Sequence, residues 1–174
     1  MARKKTSGGT PATLALTRAG VDFTVHPYDH DPRAERFGLE AAEALGVSSD
    51  RVLNTLVARL DPGTGGHRAE LVVGIVPVAG QLDLKALARA LGSARAVMAE
   101  VAEAERATGY VAGGISPVGQ RRALRTVLDA SALGHSTVFV SGGRRGLDVE
   151  LSPADLAVVT SATTASIGRS SGTG

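Results

Sequence analysis

VLNTLVARLDPGTGGHRAELVVGIV, residues 52–76, decides the fold class. It holds two apolar runs, Val52–Leu60 and Leu71–Val76, on either side of a DPGTGG segment at 61–66. Strand-forming runs separated by Gly/Pro turn chemistry read as an antiparallel pair. Upstream, Thr10-Pro11 has the form of an N-cap with proline at the first helical position, so a helix is expected through ATLALTRA, stopping at Gly20. Val21–Tyr28 (VDFTVHPY) alternates like a short strand whose end Pro27 weakens. Asp29–Phe37 reads as a loop, and Leu39–Leu45 has helical spacing closed by Gly46.

Downstream of the pair, helices are expected over Leu82–Leu91 and Ala99–Ala107. Val111–Gln120 (VAGGISPVGQ) holds three glycines and a proline in ten residues, which excludes regular structure. Thr126–Leu128 and Thr137–Val140 read as short strands, and Leu147–Leu151 is expected to pair back across a turn formed by Ser141–Gly146. Ser152-Pro153-Ala154-Asp155 resembles a capping box that opens a last helix. Strands and helices mix without a βαβ rhythm. The expectation is an α+β single domain, with a mixed, mainly antiparallel curled sheet and surrounding helices. Residues 1–9 and 168–174 are polar, Gly/Ser-rich expected tails around a domain spanning 10–167.

Composition narrows the chemistry. The 174 residues contain no cysteine, which excludes a disulfide scaffold, a Cys-rich zinc finger, an iron–sulfur site and a cysteine nucleophile. Only five residues are aromatic, namely Phe23, Phe37, Phe139, Tyr28 and Tyr110, so stacking platforms for nucleic-acid bases are scarce. A net charge of +2 does not by itself announce a nucleic-acid binder, although arginines gather at Arg121-Arg122 with Arg125 and at Arg144-Arg145. No apolar run approaches the roughly 18 residues of a membrane span. MARKKTSGG leads into no signal-type stretch, so no membrane association and a cytoplasmic location are expected.

His26 and His30 stand four apart beside Asp29 and Asp31, but Pro27 breaks the helix that would bring both rings to one face. No metal site is therefore expected. His67, in the turn, and His135, before a strand, are expected to be solvated. Asp29, Asp31 and Glu35 read as a solvated loop more readily than as an acid–base pair. No G-x-S-x-G elbow and no Walker or dinucleotide fingerprint occurs. The best local signals are two glycine loops. Gly113-Gly114-Ile115-Ser116-Pro117 can expose backbone N–H groups as a cradle for an oxyanion or carbonyl. Gly142-Gly143 with Arg144-Arg145 could hold a phosphate through amides and guanidinium. Glycine also marks ordinary turns, so each loop alone leaves both readings open.

Taken together, TPATLAL (10–16), HPYDHDP (26–32), FG (37–38), PVAGQLDLKALARALG (77–92), TGYVAGGISPVGQ (108–120) and VFVSGGRRGLDVEL (138–151) resemble one known family. It is the YbaK/EbsC family of aminoacyl-tRNA deacylases, free-standing relatives of the bacterial prolyl-tRNA synthetase editing domain. The likeness spans about Thr10 to Ile167 and looks strongest to the YbaK branch, which clears cysteine mischarged onto tRNA for proline. The resemblance implies an α+β domain around a small aminoacyl pocket, with no cofactor and no metal. It implies aminoacyl-tRNA, chiefly tRNA for proline, as substrate and a complex with prolyl-tRNA synthetase. In this branch the cysteinyl thiol attacks its own ester carbonyl, releasing a thiolactone.

The resemblance places Gly113, Gly114, Ile115 and Ser116 as amide donors to the ester carbonyl. It places Tyr28, Phe37, Ser141, Gly142, Gly143 and Asp148 around the aminoacyl-adenosine group, and Arg144 and Arg145 near tRNA phosphate. One catalytic position departs from the family: a K-T-L lysine is replaced in Asn54-Thr55-Leu56. A hydrogen bond to a charged group is worth about 1.5–3 kcal/mol, so its loss could slow turnover roughly 10- to 150-fold. Arg59 or Arg145 could swing in as a substitute cation. Two alternatives therefore stand beside the deacylase expectation: a weakened aminoacyl-tRNA-binding homologue, and a deacylase with a shifted preference for alanine or serine.

Overall fold

The computed structural model describes residues 9–61 and 68–170. The chain runs through α1 (Pro11–Ala19), β1 (Thr24–Pro27), α2 (Phe37–Leu45), β2 (Leu53–Asp61), β3 (Glu70–Pro77), β4 (Gly80–Leu82), α3 (Leu84–Ala90) and β5 (Arg95–Met98). It continues through α4 (Val101–Thr108), β6 (Arg125–Asp129), a 3-10 turn (Ala130–Gly134), β7 (Val138–Arg144), β8 (Leu147–Leu151), α5 (Pro153–Thr160), β9 (Thr163–Ala165) and β10 (Gly168–Ser170).

β2 and β3 form the antiparallel pair expected of residues 52–76, in register from Leu53 opposite Pro77 to Leu60 opposite Glu70. They sit within a five-stranded sheet of order β5-β2-β3-β6-β9, in which β3–β6 and β6–β9 are parallel. Val72, Val73, Ile75 and Val76 of β3 are all fully buried, as a central strand covered on both faces requires. Side chains alternate between two cores. Val73, Ile75, Val57 and Leu128 meet α1, α5 and the second sheet, whereas Val72, Val76, Ala58 and Val127 meet Leu82, Leu87 and Ile167.

The second sheet, β1-β8-β7, is antiparallel throughout. A parallel bridge between Val52 and Phe139, with the Phe139 N–H donating to the Arg51 carbonyl at 2.8 Å, pins it to the start of β2. The sheet system thus curls round, and α2 covers the junction through Ala41 and Ala42 packed with Val52, Val78 and Phe139. The result is a mixed, mainly antiparallel α+β domain.

Several expected boundaries shift. The strand expected over Val21–Tyr28 begins only at Thr24, and the helix expected from Leu82 begins at Leu84. Asp83 caps that helix by accepting the Ala86 N–H, and the preceding Gly80–Leu82 is a strand. The helix expected from Ala99 starts at Val101. β7 continues through Arg144, so the expected six-residue turn at Ser141–Gly146 contracts to Arg145-Gly146 after a bulge between Ser141 and Arg144. The expected tail from residue 168 is corrected at its start, because Gly168–Ser170 pairs with β4. Residues 1–8, 171–174, most of the DPGTGG turn and His67 lie outside the described residues.

The β4–β10 pairing permits no side chain at Gly80, where an added Cβ would fall 2.4 Å from the Arg169 carbonyl oxygen. That neighbour is backbone and cannot rotate away. Gly80→Ala is expected to lower stability by about 1–3 kcal/mol through overpacking, measured by urea unfolding. An unchanged midpoint would show that β10 contributes nothing to the fold.

Candidate active site

A cavity of about 1010 Å³ opens where α2, the first half of β2, the start of α4 and the glycine loop at 112–115 converge on β7 and β8. Seven of the expected site residues line it: Tyr28, Phe37, Asn54, Gly113, Ile115, Ser141 and Asp148. They come from six separate segments, which the curl of the sheet brings together.

Asp148 is a buried acidic residue of the wall. Pairing across the second sheet places it between His26 on β1 and Ser141 on β7. It is only 5% exposed, and among the described residues no hydrogen bond or ion pair reaches its carboxylate. Burial raises its pKa from 3.8 to about 7, because a charge drawn out of water loses hydration and no protein donor among the described residues compensates it. Tyr28 stands nearby, its N–H donating to the Gly146 carbonyl at 2.9 Å. Burial, and then the charge of Asp148, push its phenol to about 12. The neighbouring Glu150 is a different case. His26, Arg51 and Thr137 all bond to it, and these partners hold its carboxyl below the usual range against the opposing effect of burial. Asp148 has no such company.

The glycine loop is irregular but tightly held. Tyr110 is buried, its hydroxyl donates to the Val118 carbonyl at 2.6 Å, and burial raises its pKa to about 12. Ser116 is fully buried, and its hydroxyl accepts the Val118 N–H at 3.2 Å. Its carbonyl accepts from the Gln120 amide. Ser116 therefore ties the loop together and does not line the cavity. Gly114 also departs from the expected role. Its N–H donates to the Val111 carbonyl at 2.9 Å, which removes it from the set of donors open to a ligand. The N–H groups of Gly113 and Ile115 take no partner among the described residues, and both residues line the cavity.

The second glycine pair serves the fold. Gly142 is buried, and its carbonyl accepts the Thr10 hydroxyl at 2.5 Å. A Cβ on Gly142 would meet Leu147 at 2.9 Å. Gly143 has φ +107 and faces Thr10 and Tyr110. Neither lines the cavity, because the bulge turns this segment towards the N-terminus of α1. Arg144 is exposed without an ion pair among the described residues. Arg145 is already engaged: its Nε donates to the Ala112 carbonyl at 2.9 Å, and its guanidinium lies 4.9 Å over the Phe37 ring.

Asn54 faces α2 across a close contact. A Cβ on Gly38 would fall 2.8 Å from its Oδ1 and 2.2 Å from Val78 Cγ1. The importance of Gly38 was visible in the sequence only as part of an FG pair. Arg59, weighed as a substitute cation, instead faces Glu103 at 3.5 Å. The two other histidine candidates are likewise occupied: His26 bonds Glu150 and His30 bonds Glu40, each at 2.9 Å. Asp29, Asp31 and Glu35 are exposed, and no group of three or more acidic or imidazole ligands occurs among the described residues. No helix there is long and apolar enough to cross a membrane.

The model of the aminoacyl-tRNA editing domain matches residues 36–158, which include α2, the glycine loop and the Asp148 strand. The chain belongs to the aminoacyl-tRNA editing family. It is 34% identical over 154 residues to a protein of Enterococcus faecalis described as "Putative Cys-tRNA(Pro)/Cys-tRNA(Cys) deacylase EbsC", covering 88% of this chain and 89% of that one. Two crystal structures share the editing-domain fold. One, of a hypothetical protein, superposes with a TM-score of 0.78 at 24% identity, over 91% of this chain and 99% of the other. The second is described as "a putative trans-editing enzyme for prolyl tRNA synthetase". It gives 0.74 at 23% identity, over 97% and 99%.

Proposed function

We propose that this member of the editing family removes cysteine mischarged onto tRNA for proline. The observation that carries the reading is the pairing, in one cavity, of a largely buried carboxyl with two backbone donors, all three without a hydrogen-bond partner among the described residues. An aminoacyl ester offers the complement of both: a cationic α-amine and a carbonyl that becomes an oxyanion. Asp148 pairs with the ammonium, which restores to its charge the compensation that burial removed. Gly113 and Ile115 donate to the carbonyl oxygen as negative charge develops there. The substrate thiol then attacks the carbonyl carbon, the bond to the tRNA 3′ oxygen breaks, and that oxygen takes up the thiol proton. Thiolactone and free tRNA leave, and no protein nucleophile is consumed. Held in this geometry the attack is intramolecular, and the amide donors stabilise the oxyanion through which the strained four-membered thiolactone forms.

Tyr28, Phe37 and Ser141 bound the aminoacyl-adenosine group, and prolyl-tRNA synthetase is the proposed partner that delivers the charged tRNA. The absence of cysteine from the chain is consistent with a reaction that takes its thiol from the substrate.

Asn54 motivates a second reading, in which the protein holds aminoacyl-tRNA and turns it over slowly. Deacylation of Cys-, Ala- and Ser-tRNA by wild type and by Asn54→Lys separates the possibilities. The proposal expects wild type to clear Cys-tRNA, with Asn54→Lys faster by roughly 10-fold or more, since a charged donor replaces a neutral one. Clearance by the variant alone would favour the binder, and clearance of Ala-tRNA alone would move the specificity.

A further inference from the structure

We infer that Arg145 is a positioning residue that sets the glycine loop against the cavity, and that it does not act as a phosphate contact. The inference rests on the deacylase reading for its kinetic consequence, although the geometry stands without it. Two other segments, the glycine loop and α2, meet at this one side chain. Its Nε donates to the Ala112 carbonyl at 2.9 Å, and the Ala112 N–H donates in turn to Glu105 Oε2 at 2.8 Å. The peptides on both sides of Ala112 are thereby tied to the body of the protein, immediately before Gly113. The Arg145 guanidinium covers the Phe37 ring at 4.9 Å, which joins the first residue of α2 to the same point.

The packing leaves little latitude. A Cβ on Gly113 would lie 2.7 Å from Arg145 Nε and 3.0 Å from the Phe37 ring, and one on Gly114 would lie 2.8 Å from Arg144 Cα. Both glycines are pressed under the β7–β8 turn. The turn is itself fixed on its other side, where a Cβ on Gly146 would fall 2.9 Å from the Tyr28 carbonyl oxygen. The Tyr28 N–H also donates to the Gly146 carbonyl. The β7–β8 turn thus meets the phenol side of the cavity through Gly146, and the α2 and amide sides through Arg145.

Arginine suits this task and lysine does not. A planar guanidinium can lie on a ring face while its Nε–H points along the edge to a carbonyl. An ammonium offers a point charge without the fork. A phosphate ligand has the opposite profile, since either cation neutralises a phosphate and its removal lowers the salt dependence of binding by about one.

The test compares Arg145→Lys, Arg145→Ala and Phe37→Leu with wild type on Cys-tRNA for proline, across a salt series. Arg145→Lys is expected to lower kcat about 10- to 100-fold, the scale on which small displacements of reacting groups act, with KM within about threefold and the salt slope unchanged. Phe37→Leu, which removes the ring under the guanidinium, is expected to speed exchange of the Ala112 and Gly114 amides about tenfold or more, and that readout carries the test should the arginine variants not fold. Near wild-type kcat in Arg145→Lys, with a slope reduced by about one in Arg145→Ala, would overturn the inference and make Arg145 a phosphate ligand. If wild type clears no charged tRNA, the deacylase reading fails alone and hydrogen exchange decides the positioning role. Arg145→Lys should then speed exchange of the Ala112 and Gly114 amides about tenfold or more by freeing the loop locally. Unchanged exchange would overturn it.

Discussion

Asp148→Asn is expected to stabilise the protein at pH 8 and to abolish a loss of stability that wild type undergoes as pH rises from 4 through 7. The carboxyl has a folded pKa of about 7 against an ordinary value of 3.8. The folded state therefore holds its proton over a range in which the unfolded chain has released it. Stability from this group is complete below about pH 4, declines as pH climbs, and is gone above about pH 7. The span corresponds to about 4 kcal/mol at 1.36 kcal/mol for each pH unit. Asparagine fills the same space without a charge, so the difference in unfolding free energy between variant and wild type should widen from pH 4 to pH 8. Taking that difference removes Glu70 and Glu150, whose lowered pKa values act in the opposite sense at acid pH. Urea unfolding at a series of pH values measures it, and parallel wild-type and variant curves would refute the isolation of Asp148. The same substitution should weaken binding of an aminoacyl ester bearing a free α-amine.

Gly113→Ala should cost at least about 100-fold in deacylation, because it meets two obstacles at once. The backbone there has φ +86, in the left-handed region where a Cβ costs roughly 1–2 kcal/mol. The new methyl would also strike Arg145 Nε and the Phe37 ring, and so break the contact that holds the loop. Strain and overpacking together are expected to lower stability by about 2–5 kcal/mol. Single-turnover deacylation, read below the variant's unfolding midpoint, should show a loss larger than its unfolded fraction explains. Retention of activity within about threefold would exclude the loop from the oxyanion role.

The parts of the fold that could be read in advance are those whose signals are local. Thr10-Pro11 caps α1 through a reciprocal pair with Thr13, and Ser152 caps α5 by accepting the Asp155 N–H. Both follow from side-chain reach within one turn. β2 and β3 carry long apolar runs, and these formed as expected. β4, β5, β9 and β10 were not anticipated. Each has three or four residues, too few to show an alternation, and each forms through pairing with distant chain.

The site divided along the same line. Asp148, Tyr28, Phe37, Gly113 and Ile115 are named by the motifs, and these five line the cavity. What the motifs could not convey was direction. Gly142 and Gly143 face Thr10 because a bulge rotates them, Ser116 turns inward to bind its own loop, and Arg145 lies on Phe37. A one-residue shift in a strand reverses which face a side chain occupies, and nothing in the local sequence around Ser141 announces that bulge.

In the proposed reaction this cavity cleaves an aminoacyl ester of tRNA by presenting it to its own thiol. The most direct test is to identify the product released from Cys-tRNA for proline under single turnover, beside the isosteric Ser-tRNA. Cysteine thiolactone is expected as the first product, with Ser-tRNA left intact. Free cysteine formed without a thiolactone intermediate, or equal loss of serine, would contradict it by requiring attack from water.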